Sequence, residues 1–308
     1  MTQSVKIQAP ATVANVACGF DIMGFALEAP HDELIVRKTN RPGLRLSDKT
    51  GLGLPLDPRA NTAGQAALAL LEHLGSQQGF ELEFTRKISP GSGIGSSAAS
   101  AAAAVFGVNL LLGEPFDRQG LVQFAMQGEA VASGSAHADN VAPAVMGGFV
   151  LIRGYAPLDL VRLPYPKELH CAIVHPEIEI RTQDARRILK QHIPLKTAIE
   201  QWGNVAGLVA GLTLGDLGLI GRSLKDVVVE PVRSVMLPNF AQVKRGALEA
   251  GALGCSISGS GPSLFALCDG REVATRVAAS FRDAFREMEI PCQTYVSRIN
   301  ELGAKAVL

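Results

Sequence analysis

Residues 90–100 read PGSGIGSSAAS, and Ala101, Ala102, Ala103 and Ala104 follow at once. Gly91, Gly93 and Gly95, spaced by Ser92 and Ile94, free the backbone to approach a ligand and to turn successive N–H groups into one concavity. The serines and alanines then start a helix near Ser96 and Ser97, and its unpaired N–H groups and positive dipole end favour an anion. Phosphate binding is the chemistry this combination offers. The competing reading is an ordinary glycine-rich turn with Ser96 as the helix N-cap. The loop is not a P-loop, because no Gly-Lys-Ser/Thr follows, and the spacing fits a dinucleotide fingerprint poorly.

A second chemical cluster is His137, Asp139 and Asn140 within SGSAHADNVAPAVMGGF, residues 133–149. A metal site is a weak reading, since other histidines such as His170 and His175 show no matching ligand spacing. A hydrolase triad is equally weak, because neither Ser133 nor Ser135 sits in a G-x-S-x-G elbow. On residue type alone, Asp139 is a hydrogen-bonding turn residue ahead of 141–143.

The elements that must position these residues are mixed. Apolar alternation predicts strands at 5–8, 33–38 and 81–88, with a buried strand at 148–153. Helical patterns run from Asn61, from Ser97 and from Leu121, and later through 196–212, 240–251 and 271–288. Short apolar runs at 171–174, 263–267 and 293–296 lie among the later helices. Without a steady βαβ rhythm, the pattern argues α+β rather than a doubly wound sheet. The stretch GYAPLDLVRLPYP, 154–166, has the glycine and proline content of a domain junction.

Composition narrows the partners. The 308 residues are 47% hydrophobic and 19% charged with zero formal net charge, which gives no electrostatic footing for nucleic acid or an anionic membrane. Cys18, Cys171, Cys255, Cys268 and Cys292 are odd in number and unpaired in spacing, as expected of reduced core residues. The N-terminal MTQSVKIQAP lacks the apolar core of a signal peptide, and no apolar run reaches membrane-spanning length, so a cytoplasmic location is expected.

The glycine loop resembles motif two of the GHMP small-molecule kinases, P-x-x-x-G-L-G-S-S-x-A. Gly93, Ile94, Gly95, Ser96, Ser97 and Ala99 fit it, with isoleucine for the usual leucine and the proline one place late. APATVANVACGFDIMGFAL, 9–27, resembles the N-terminal signature of the homoserine kinase branch, and GALGCSISGSGPSLFAL, 251–267, resembles GHMP motif three. Pro10 is followed by Ala11 and Thr12 rather than by Gly-Lys or Gly-Arg, again as in that branch. Residues 133–149, TQDARRIL from Thr182 and EPVRS from Glu230 also resemble it.

The resemblance implies an α+β GHMP kinase fold, with an N-terminal domain like ribosomal protein S5 domain 2 over 1–158 and a ferredoxin-like C-terminal domain over 159–308. It implies transfer of the γ-phosphate of ATP to the side-chain hydroxyl of L-homoserine, giving O-phospho-L-homoserine on the route to threonine, in a protein that is usually a homodimer. It puts the ATP phosphates on residues 91–97 and Gly259, Asn61 near the adenine or ribose, and Mg²⁺ on Ser97 and Glu129. For Asn61, a plain helix N-cap is an equal reading.

On the same resemblance the acceptor lies against Asn15, Asp21, His137, Asn140, Thr182, Arg186 and Arg233. Arg186 and Arg233 suit its carboxylate, with Thr182 adding a hydroxyl, and Asp21 suits its ammonium. Asn15 and Asp21 also read as turn residues beside Gly19. Asp139 becomes a candidate general base, although a loose phosphoryl-transfer transition state asks little deprotonation of the acceptor. Two rivals remain: another GHMP kinase with a mevalonate- or sugar-type acceptor, and a silent homologue that only binds a metabolite.

Overall fold

The structure is a computed structural model and describes residues 3–134 and 136–307; Ser135, weighed above as a nucleophile, lies outside them. The N-terminal part runs β1 (Ser4–Ala14), β2 (Met23–Thr39), β3 (Leu44–Asp48), α1 (Thr62–His73), β4 (Gly79–Arg86), α2 (Ser96–Leu111), α3 (Arg118–Ser133), α4 (Ala138–Met146), β5 (Phe149–Tyr155) and β6 (Leu158–Leu163). The C-terminal part runs β7 (Leu169–Pro176), α5 (Thr182–Arg187), α6 (Leu195–Leu214), α7 (Leu217–Ser223), α8 (Glu230–Arg233), a 3₁₀ turn (Ser234–Met236), α9 (Phe240–Glu249), β8 (Gly254–Ile257), β9 (Leu264–Asp269), α10 (Gly270–Glu287) and β10 (Cys292–Arg298). A last strand, β11 (Lys305–Val307), returns to pair with β1.

The larger sheet has seven strands in the order β11-β1-β2-β4-β3, with β5 on the first half of β2 and β6 beyond it. The smaller sheet is antiparallel in the order β10-β7-β9-β8. With helices between β7 and β8 and α10 between β9 and β10, it has the split βαβ connectivity of a ferredoxin-like unit. The sequence reading of α+β holds. Residues 154–166, whose composition suggested a junction, mostly form the β5–β6 hairpin, with Leu160 and Leu163 buried beneath it. The chain crosses to the smaller sheet just afterwards, between β6 and β7.

The alanine run has a packing reason. Ala98, Ala99 and Ala101 to Ala104 are all buried, because α2 lies with β1 and β2 on one side and α1, α3 and α4 on others. A helix apolar on every face belongs inside a core, and methyl side chains let several neighbours approach it at once. The glycine loop therefore opens onto the end of a helix that cannot shift easily.

The two sheets share that core. Phe25 of β2 has ring centroids 4.7 Å from Phe149 of β5 and 6.0 Å from Phe265 of β9. On its other face the smaller sheet packs α9 and α10 through Phe240, Phe281 and Phe285. All five cysteines are free thiols and four are buried, and among the described residues no helix is long and apolar enough to cross a membrane.

Asp139, read from sequence as a turn residue, sits instead in the first turn of α4. Pro143 lies inside that helix and has no N–H to give the Asp139 carbonyl four residues back. That carbonyl packs against Gly24 of β2, where an added Cβ would fall 1.8 Å from its oxygen. Gly24→Ala is expected to destabilise the protein by about 1–3 kcal/mol, as backbone must move to admit the methyl group, and a urea melt would read the loss.

Candidate active site

A cavity of about 410 Å³ opens between the two parts of the chain, and of the site residues singled out above all but Ile94 line it. Ile94 turns its side chain into the core and gives its carbonyl to the Thr12 N–H at 3.0 Å, so only its backbone belongs to the loop.

On one side lies the glycine loop. Gly91, Gly93 and Gly95 all have left-handed φ, at 75°, 76° and 70°, alternating with ordinary residues as a nest of amides requires. Gly95, not Ser96, is the N-cap of α2, and no side chain caps that helix. Ser96 instead turns its hydroxyl back to donate to the Ile88 carbonyl at 2.8 Å. The loop carbonyls are held from the opposite side: Ser258 Oγ donates to the Gly93 carbonyl at 2.8 Å, and Ser263 Oγ donates to the Ser92 carbonyl. With those carbonyls drawn toward the smaller sheet, the peptide N–H groups are left for the cavity. An added Cβ on Gly95 would lie 1.9 Å from Thr12 Oγ1. The Ser92 hydroxyl is buried without a partner, a donor that a ligand would satisfy.

Ser97, in the first turn of α2, donates to Glu129 Oε2 at 2.6 Å. Glu129 projects from the middle of α3 and is buried. Burial pushes its carboxyl up to about 7, against the opposing effects of the Ser97 hydrogen bond and the Lys87 charge. A hydroxyl and a carboxylate this close, in a site where burial disfavours the bare anion, fit a hard divalent cation that takes oxygen ligands.

The opposite side is ionic. Arg186 Nη2 and Nη1 lie 2.8 and 3.2 Å from the two Asp21 oxygens, so the residues expected to hold opposite ends of an acceptor hold one another. His137 Nδ1 is 3.9 Å from the same carboxylate, and the buried His137 Nε2 and Arg186 Nε have no partner. Burial lowers the His137 pKa, partly offset by Asp21. Arg233 donates to the Ala185 carbonyl at 3.1 Å and the Gly259 carbonyl at 3.0 Å. Burial, followed by the nearby Arg186 charge, lowers its pKa to about 10. Phe20 lies beneath both guanidinium groups at 5.7 and 5.0 Å.

Asn15 bridges loops: its Nδ2 donates to the Gly259 carbonyl at 2.7 Å, and its Oδ1 accepts from Asp21 N–H at 3.1 Å. Asn15, Val16 and Ala17 all have left-handed φ, at 71°, 39° and 57°, a strained turn that the surrounding bonds must maintain. Thr182 Oγ1 lies 3.2 Å from Ser260 Oγ. Asp139 is buried, and burial first, then the Asp21 and Glu129 charges, push its carboxyl up to about 7. Asn140 Oδ1 accepts from Thr12 Oγ1 at 2.7 Å. Asn61 caps α1, accepting from Ala63 and Gly64 N–H, while also lining the cavity.

Several participants escaped the sequence reading. Thr12 was noted only as a departure from a lysine-bearing motif, yet it sits between Gly95 and Asn140. Tyr155 donates to the Asp21 carbonyl at 3.0 Å and accepts from Ala138 N–H at 3.3 Å, tying the β5–β6 hairpin to the Asp21 side of the cavity. Lys87 reads as one more charge ending a strand, but it is buried beside the loop.

Two family models match the chain: the GHMP kinases N terminal domain over residues 61–148 and the GHMP kinases C terminal over 208–287. A homoserine kinase of Chlorobium phaeobacteroides is 49% identical over 99% of this chain and 100% of its own. The chain belongs to the GHMP kinases. The crystal structure of homoserine kinase from Cytophaga hutchinsonii superposes on this GHMP kinase with a TM-score of 0.95 and 51% identity, covering 100% of this chain and 98% of that one. The galactokinase of Lactococcus lactis, solved with galactose, shares the fold with a TM-score of 0.71 at 13% identity, over 99% of this chain and 95% of its own. One fold thus serves different acceptors, and the choice among them lies in the site.

The raised Glu129 pKa carries a stability consequence. Between the unfolded carboxylate value of about 4 and its folded value of about 7, the folded chain holds more protons, so this group's contribution is lost as pH rises through that window. Glu129→Gln removes the ionisation. The ligand-free variant is expected to gain thermal stability relative to wild type progressively from pH 5 to pH 8; a difference in Tm independent of pH would contradict this.

Proposed function

We propose that the protein is a homoserine kinase that moves the γ-phosphate of ATP onto the side-chain hydroxyl of L-homoserine, forming O-phospho-L-homoserine and ADP on the route to threonine. The observation that carries the reading is the meeting, in one cavity, of an amide-lined loop beside Ser97 and Glu129 with the Asp21, Arg186 and Arg233 set. The first arrangement suits polyphosphate. The second suits a zwitterion and has no counterpart use with a neutral sugar. Relatives named homoserine kinase, at about half identity along the whole chain, support it further.

The glycine-loop and first-turn amides receive the phosphate oxygens, and Asn61 and Gly259 lie at the nucleotide's edges. Ser97 and Glu129 would hold Mg²⁺, which when bound neutralises phosphate charge. On the acceptor side, an incoming zwitterion meets charges already matched to its own: its ammonium replaces Arg186 at Asp21, and its carboxylate takes Arg186 and Arg233, with Thr182 nearby. The orphaned Arg186 Nε and His137 Nε2 are the buried polar atoms that a bound acceptor would satisfy. Asn15 and Asn140 orient it.

The acceptor oxygen attacks the γ-phosphorus as the bond to the bridging oxygen breaks, and ADP leaves with that electron pair. Asp139 takes the hydroxyl proton. A carboxyl held near pH 7 by burial is matched to that task at neutral pH. The reading includes a cytoplasmic homodimer, checked by sedimentation.

A coupled ADP-release assay with Mg²⁺ and ATP, comparing L-homoserine with mevalonate, galactose, L-threonine and L-serine, is expected to show strong turnover on L-homoserine alone. Turnover on another of these would overturn the acceptor assignment. In the same assay Asp139→Asn is expected to lower kcat by about 100-fold with little change in KM for ATP. Retention of most of kcat would leave catalysis to positioning and electrostatics.

A further inference from the structure

At the base of the glycine loop, with Lys87 itself bordering the cavity, lies a buried ion pair. Lys87 Nζ is 3.0 Å from Asp32 Oδ2, with the two side chains 5% and 1% exposed. The pair arises from strand register: Glu33 of β2 stands opposite Arg86 of β4, which brings the residues just beyond them together. Nζ also donates to the Ser96 carbonyl at 2.6 Å and to the Ser96 hydroxyl. On the other side, Asp32 Oδ1 accepts from Ile88 N–H at 2.7 Å, and Oδ2 accepts from Ser100 Oγ at 2.8 Å.

Nζ thus gives two of its hydrogens to Ser96, with the Asp32 carboxylate 3.0 Å away as its counter-charge. The Lys87 site is an uneconomical one for stability alone. A cation beside the first turn of α2 faces the positive end of the helix dipole, and a buried ion pair is often no more stable than apolar residues of similar volume. What the pair does uniquely is grip Ser96 from both its backbone and its side chain, one residue before Ser97.

We infer that Lys87, anchored by Asp32, is a positioning residue for phosphoryl transfer: it fixes Ser96, and so holds the first-turn amides of α2 and the Ser97–Glu129 pair where the phosphates of ATP arrive. This rests on the functional reading above. Lys87 borders the cavity and acts through its grip on Ser96. Its loss therefore acts on the ATP side of the kinetics and spares the acceptor side, where Asp21, Arg186 and Arg233 are held by other contacts.

The test compares wild type, Lys87→Met and the double variant Lys87→Met/Asp32→Asn, by thermal melting and by steady-state kinetics with ATP and L-homoserine varied separately at saturating Mg²⁺. Lys87→Met alone leaves a buried unpaired carboxylate and is expected to melt lower than wild type. The double variant removes both charges and keeps an acceptor for Ile88 N–H, so its Tm is expected to return toward wild type. Its kcat/KM for ATP is nevertheless expected to remain at least about tenfold low, with KM for L-homoserine within about twofold of wild type. A double variant that recovers both Tm and kcat/KM for ATP would overturn the inference and leave the pair a structural one.

Should the double variant melt below the assay temperature, Ser100→Ala takes its place, removing one donor to Asp32. A loss of about threefold or more in kcat/KM for ATP, with KM for L-homoserine unchanged, is expected from one hydrogen bond; unchanged kinetics would overturn the inference. Wild-type protein without ATP turnover on L-homoserine would remove the functional reading first and this inference with it.

Discussion

The orientation of one loop's peptide groups is the constraint on which the rest of this structure depends. An amide can face a phosphate only if its carbonyl partner across the peptide is accommodated elsewhere, and here the Ser92 and Gly93 carbonyls are taken by Ser263 and Ser258 from the other half of the chain. Burying those carbonyls unpaired would be costly. The nest is therefore a product of both halves: β1 and α2 supply its walls, and the turn between β8 and β9 sets which way its dipoles point. The alanine-rich α2 makes the arrangement stiff, since a helix packed on several sides gives the loop a fixed end.

Charge is arranged around that loop in two distinct ways. On the nucleotide side the acidic groups are kept from water, and burial raises the Glu129 carboxyl to about 7. On the acceptor side the charges are already paired, Asp21 with Arg186 in a two-point contact. A zwitterion can exchange into such a pair without leaving a charge uncompensated, whereas a neutral alcohol offers nothing in return for separating it. Both sides keep their buried charges near groups of opposite or hydrogen-bonding character.

Much of this was legible in the sequence where local rules govern. The glycine spacing before an apolar helix foretold the nest and the dipole end, and Asn61 before a helical run foretold a cap that the structure confirms in detail. Periodicity placed the long helices within a few residues, but it found only the first half of β1 and the last third of β2, because much of 9–27 pairs as strand despite the glycines and small residues of a turn. What escaped were relations set by tertiary register. Lys87 and Asp32 are more than fifty positions apart, and nothing in either neighbourhood signals that strand pairing will bury them together. Asp139 read as a turn residue ahead of 141–143, but it opens α4, with its carbonyl lying close against Gly24 of β2. The glycines and prolines of 154–166 suggested a linker, while burial of Leu160 and Leu163 makes most of that stretch a hairpin.

The most direct measurement of the central claim is the dissociation constant of Mg·ATP for the double variant Ser258→Ala/Ser263→Ala, beside that of wild type, by calorimetric titration. If the loop's peptide orientation is maintained from the opposite half of the chain, freeing both carbonyls should weaken Mg·ATP by at least about tenfold, or ~1.4 kcal/mol, while near-native Tm shows the fold intact. Wild-type affinity in that variant would contradict the account, because the amides would then face the cavity without being held there.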